Sequence, residues 1–260
     1  ETEIVAAAIR GQLDQCAHLI RTFQSIFLAS ENVSQDEYAL AYQNMQSNSV
    51  ARISLQALAY AERRRMQDGD HFITTMFAPQ AGNESIRELD VNSQPMNMRA
   101  LLRSRDTGQV AMSEPFHLRQ SGDGPDRGDG FILRLPVYAP GKIPATLEER
   151  RASIIGSIGA SFRISELITQ GIPGDPALLA DLTVEDVSGG EPRRLYERQF
   201  GARGDQPPHR VELHFGDRTW RVVAHAKKGA AGQAGGMLVL WVGMLISALL
   251  AALTWSLVST

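Results

Sequence analysis

The chain has 260 residues, 43% hydrophobic and 21% charged, enough to bury a core and to form one or two domains rather than a disordered tail. A formal net charge of -3, with no run of Lys and Arg interleaved with aromatics, argues against a nucleic-acid partner. Cys16 is the only cysteine, which excludes an internal disulfide, a CxxC redox pair and CxxC metal-ligand spacing. The first residue is Glu1 rather than Met, as expected of a fragment whose own start lies upstream.

In chain order, Ile9, Leu13, Cys16, Ile20, Phe23 and Phe27 recur at spacings of four and three, which predicts a helix over residues 3–30 with one apolar stripe. That stripe serves equally as the seam of a homodimeric stalk or as a face packed on the chain's own domain. A second helix is expected over 36–45, opened by Ser34 with Glu37 three positions on, the pattern of a capping box. Residues 53–65 continue apolar and end in ERRR, read as a solvated helical face.

Past Gly69 the pattern shortens. Strands are expected at 71–79, 110–118 and 130–138, with a glycine-closed helix at 99–108. In the strand 130–138, Phe131, Leu133, Leu135 and Val137 alternate with Arg134 on the other face. A loop over 139–151 leads to a second unit with strands at 154–162, 179–187 and 194–197, a helix at 164–170, and a hairpin over 211–226 that turns at Gly216 and Asp217. The order is that of an α+β fold, with helices on antiparallel sheets. Residues 237–258 carry no charge and would span roughly 33 Å as a helix at ~1.5 Å per residue, which predicts a transmembrane segment with Trp241 and Trp255 toward its ends. Lys227 and Lys228 precede it, and taken alone they would place the folded part on the cytoplasmic side.

Little here suggests catalysis. The six histidines show no HExxH spacing and no GxSxG elbow occurs. Asp123, Asp126 and Asp129 do not follow calcium-loop spacing, and the glycines among them lie between strands rather than before a helix, so neither a metal nor a phosphate site nor a cofactor is expected.

The stretch LDVNSQPMNMRALLRSRDTGQVAMSEPFHL (89–118), followed by LPVY (135–138), resembles the CHASE domain, the extracellular sensor of bacterial histidine kinases and diguanylate cyclases and of plant cytokinin receptor kinases. The residues that carry the likeness are Asp90, Arg99 with Leu102, Arg105, Gly108, Pro115 with Phe116, and Pro136-Val137-Tyr138. The resemblance implies N-terminal stalk and dimerisation helices (1–48), a membrane-distal PAS-like ligand-binding module (49–140), a membrane-proximal PAS-like module (141–229) and a transmembrane helix (236–258). It also implies a cell-membrane homodimer facing the periplasm, binding a small, cytokinin-like adenine derivative and signalling to a cytoplasmic kinase. In that picture Asp90 accepts hydrogen bonds from the ligand, Met112 lines the pocket, and Phe77, Phe131 and Leu133 form walls. Alternatively Asp90 caps the helix that follows or pairs with a nearby Arg, and the three apolar residues are simply core. Arg134 stands where the family is expected to carry a small or hydroxylated residue, and would either shrink an apolar pocket or recruit an acidic ligand. A diguanylate cyclase output, and a dimerisation module that binds no ligand, remain alternatives to the kinase sensor.

Overall fold

The structure, a computed structural model, describes residues 1–30, 32–48, 55–121, 129–140, 143–172, 174 and 176–229. The apolar segment 237–258 and the positions of Asp123 and Asp126 lie outside these residues; among the described ones, no helix is long and apolar enough to cross a membrane.

Helix α1 (Thr2–Ala29) forms where the period of the apolar residues demands it, and all six residues of the stripe are 5% exposed or less. They pack against the chain's own sheets, so of the two uses open to the stripe the domain takes the intramolecular one. Burial pushes the Cys16 thiol up to about 12, which leaves it an inert core side chain. Helix α2 (Gln35–Asn48) opens as expected: Ser34 Oγ accepts from the Glu37 backbone at 3.2 Å, and Glu37 Oε2 accepts from the Ser34 backbone at 2.8 Å.

The first sheet is antiparallel throughout. It is built from β1 (Ala57–Met66), β2 (Gly69–Ala78), β3 (Ala111–Met112), β4 (Phe116–His117), β5 (Asp129–Tyr138) and β6 (Ile154–Arg163), in the order β2-β1-β6-β5-β3, with β4 also on β5. Helices α3 (Pro95–Thr107) and α4 (Leu147–Ser153) fall between strands, α3 closed by Gly108 in the left-handed conformation at φ 70.

Two sequence expectations are corrected here. The segment 53–65 does not continue as a helix: its later part is β1, in which Leu58 and Tyr60 face α1 while Ala57, Ala59 and Ala61 face the opposite side. The arginines of ERRR ride on the end of the β1–β2 hairpin, beyond Glu62, the last residue paired with β6, and Arg63 and Arg65 reach Asp70 across the hairpin. Strand 154–162 likewise does not open the second unit. It is β6, the centre of the first sheet, bonded to β1 on one side and β5 on the other.

Helix α5 (Ile164–Gly171) follows directly and leads to a second antiparallel sheet of β7 (Leu179–Asp186), β8 (Arg193–Gln199), β9 (His209–Phe215) and β10 (Arg218–Ala226), in the order β8-β7-β10-β9. The β9–β10 hairpin turns at Gly216 (φ 60) and Asp217 as the sequence predicts. One apolar cluster runs through both sheets beneath α1. Within it Phe131 of β5 stacks on Phe162 at 5.2 Å and meets Trp220 of β10 edge-on at 5.5 Å.

Candidate functional site

On the face of the first sheet turned away from α1, the strip about Gly159 is made of small side chains. The pairing register sets Ala111, Arg134, Gly159 and Ala59 side by side across β3, β5, β6 and β1, and cross-strand neighbours share a face. Arg134 is the long member of that row and is 3% exposed. Its guanidinium lies against Gly159, where a Cβ would come within 2.8 Å of Cζ and Nη1, so only glycine leaves the side chain its present path.

Helix α3 and the short 3-10 turns Glu84–Ile86, Val91–Ser93 and Arg119–Ser121 lie about this face. Asn97 of α3 is 1% exposed; its Oδ1 accepts from Arg134 Nε at 2.8 Å and its Nδ2 donates to Gln94 at 2.8 Å. Gln120 donates to Ser161 Oγ at 3.0 Å. Ile86, Leu89, Leu118 and Ile132 add apolar wall. The space left between them is about 20 Å³, room for about one water.

Among the described residues, no Asp or Glu lines this cavity, no carboxylate pairs with Arg134, and Nη1 has no hydrogen-bond partner. Burial pushes the guanidinium down to about 10, which still leaves it charged at neutral pH.

Of the six residues chosen from the sequence, Arg134 alone lines this cavity. Phe77 pairs with Ala59 and so ends the same row on β2, grouped with Ile86 and Leu89. Met112, Phe131 and Leu133 point to the α1 side and belong to the shared core. Asp90 is turned away from the cavity although its neighbour Leu89 lines it. Its Oδ1 accepts from the Asn92 backbone at 3.0 Å and caps the Val91–Ser93 turn, while Oδ2 lies 2.7 Å from His71 Nδ1.

The other ring nitrogen of His71 lies 3.1 Å from Asp68. The hydrogen bond to Asp90, with help from Asp68, holds the imidazole above its ordinary 6.5. A folded value raised in this way contributes stability that is complete below the unfolded value of about 6.5 and fades as the pH rises through the folded value. A proton NMR titration is expected to give His71 a midpoint above 6.5, falling back in Asp90→Asn; an ordinary midpoint in the unaltered chain would remove the pair.

Sequence reasoning missed Asn97, Gln120, Gly159 and Ser161. The small residues at alternate positions Ser157, Gly159 and Ser161 in IIGSIGASF were a usable signal, since a strand face without bulk must face either another backbone or a cavity. Nothing in the local pattern marked Asn97 or Gln120. As for metals, no cluster of three or more ligating side chains occurs among the described residues, and Asp129 is paired with Arg193.

Comparison with known proteins gives the same region a lineage. "Probable histidine kinase 5" of Oryza sativa subsp. japonica is 27% identical over 162 residues, which is 61% of this chain and 13% of the rice protein. "Probable histidine kinase 4" of the same plant is 28% identical over 138 residues, 51% of this chain and 13% of that protein. "Hybrid signal transduction histidine kinase A" of Dictyostelium discoideum is 27% identical over 120 residues, 45% of this chain and 5% of that protein. The matches thus cover a small part of each relative's length. Against protein-family models, residues 18–196 match the CHASE domain, a span that runs from within α1, through the whole first sheet and its cavity, into β8 of the second. The chain belongs to the CHASE domain family.

Proposed function

We propose that this chain is the ligand-sensing region of a membrane-anchored sensor histidine kinase, and that a small molecule is captured in the cavity between α3 and the first sheet. The observation that carries the reading is the cavity itself: a CHASE domain whose sheet face is small at Ala59, Gly159 and Ser161 and holds one desolvated guanidinium with no carboxylate partner among the described residues. The rice and Dictyostelium relatives, named as histidine kinases, support a kinase output, and the uncharged segment 237–258 supports the membrane anchor. In this reading the first sheet is the membrane-distal ligand module and faces the periplasm, and the second sheet is the membrane-proximal module, the division following the sheets rather than residue 140. Homodimerisation belongs to the same reading but uses surfaces other than the stripe from Ile9 to Phe27, which the domain's own core covers.

A second reading, an adenine-type ligand of the cytokinin class held by Asp90, rests on the family resemblance and on the place of Asp90 beside the cavity wall. It requires Asp90 to release His71 or Asn92. Calorimetric titration of the chain in detergent with N6-isopentenyl adenine separates the two readings. Binding weakened ten-fold or more by Asp90→Ala, about 1.4 kcal/mol, supports the second. Binding that survives Asp90→Ala but is lost in Gly159→Leu supports the cavity alone. A folded protein whose every small-molecule response survives Gly159→Leu would remove the cavity as the sensing site.

A further inference from the structure

We propose that the cavity is a receptor for a short-chain monocarboxylate, anchored by the guanidinium of Arg134. The proposal rests on the reading of this cavity as the ligand site and names the chemistry it selects. A fold ordinarily pairs a buried cation with an anion, and this protein does so at Arg218, whose Nε and Nη2 both reach the buried Asp186 at 2.9 and 2.5 Å. Arg134 is enclosed more fully, yet its one described hydrogen bond goes to a neutral amide. That bond occupies Nε, and the anchoring of Asn97 to Gln94 keeps the amide oxygen turned toward it. Among the described residues, Nη1 is left as a donor without an acceptor and no carboxylate lines the cavity.

A carboxylate fits what remains. It brings a single negative charge to a single positive one and presents two oxygens to a forked donor. A phosphate or sulfate dianion would bring a second charge for which no described lining residue supplies a cation. Ile86, Leu89, Leu118 and Ile132 offer an apolar wall to a short alkyl tail, and among the described lining residues Arg134 is the one charged side chain. With about 20 Å³ free, binding must spread the wall of short turns from the sheet, so occupancy and movement are linked. That movement bears on β1, where Ala59 lines the cavity and the next residue, Tyr60, stacks under Phe27 of α1 at 4.3 Å.

The test titrates acetate, propanoate and butanoate into the full chain in detergent at constant ionic strength, reading heat and melting temperature, with propanamide as the neutral isostere. Saturable binding is expected for at least one carboxylate, ten-fold or more tighter than for propanamide, and lost in Arg134→Met. Asn97→Asp supplies the counter-ion from within; it is expected to raise the melting temperature and also to abolish the carboxylate response, so the proposal does not depend on one variant folding. Carboxylates that leave the folded wild-type chain unmoved, or act equally on Arg134→Met, overturn it. If a neutral ligand such as N6-isopentenyl adenine binds and Gly159→Leu abolishes that binding while carboxylates do nothing, the cavity stands and the carboxylate falls. If carboxylate binding is unaffected by Gly159→Leu, both fall together.

Discussion

Phe131→Ala is expected to cost about 3–5 kcal/mol of folding stability, measured by chemical denaturation with far-ultraviolet circular dichroism as the probe. Phe131 is fully buried, and its ring is held from two sides, by Phe162 of its own sheet and by Trp220 of the other. Removing the ring opens a hole where the two sheets share their core, and neither can close it alone: Phe162 is fixed by the β5–β6 register and Trp220 by its pairing with β7 and β9. As a control, Leu40→Ala, at a position 67% exposed, should change stability by less than about 0.5 kcal/mol. A loss below about 1 kcal/mol for Phe131→Ala would mean that the sheets do not share a packed core. Had Phe131 been a ligand wall, the same substitution would act first on affinity; its side of the sheet makes it a test of stability.

Ile20→Asp is expected to abolish the cooperative unfolding transition altogether. Ile20 is fully buried at the middle of the α1 stripe, and a carboxylate there would have to remain charged without a partner or take up a proton in the core. Either cost is comparable with the whole stability of a domain, roughly 5–15 kcal/mol. The outcome also separates the two uses of the stripe. If α1 were a stalk that paired only with a second copy, Ile20→Asp would yield a folded monomer, visible as retained circular dichroism with a halved mass in sedimentation. A folded monomer would therefore contradict the packing described here.

Much of the fold was legible because it is local. The spacing of Ile9 to Phe27 gives α1, Ser34 with Glu37 gives the start of α2, and Gly216 with Asp217 gives the β9–β10 turn. What failed was non-local. In β1, three alanines on one face suit a helix as well as a strand, and only the pairing with β6, about a hundred residues later, settles the matter. In β6 the preceding segment with α4 reads as a linker between units, whereas it carries the chain back to pair β6 with β5. The site shows the same division. Alternation along β5 reveals that Arg134 and Leu133 face opposite ways, but not which face meets α1, so the sequence leaves Phe131 and Leu133 open between pocket wall and core, and the structure places both, with Met112, in the core on the α1 side. Arg134 stood out because a charge among alternating apolar residues is costly wherever it points.

The placement of α1 has a mechanical consequence. At ~1.5 Å per residue its 28 residues make a rod of roughly 42 Å. One end rests on Tyr60, a residue away from the cavity wall. At the other end Glu1 Oε2 accepts from the Leu178 backbone at 3.1 Å, and the Leu178 carbonyl accepts in turn from the Lys227 backbone at 2.8 Å, where β10 leaves the sheet. Pivoted near its middle, such a rod tilted by about one degree carries each tip roughly 0.4 Å, in opposite directions. Under such a tilt a displacement at Phe27 would appear reversed at Glu1, whose side chain is joined through the Leu178 backbone to the end of β10.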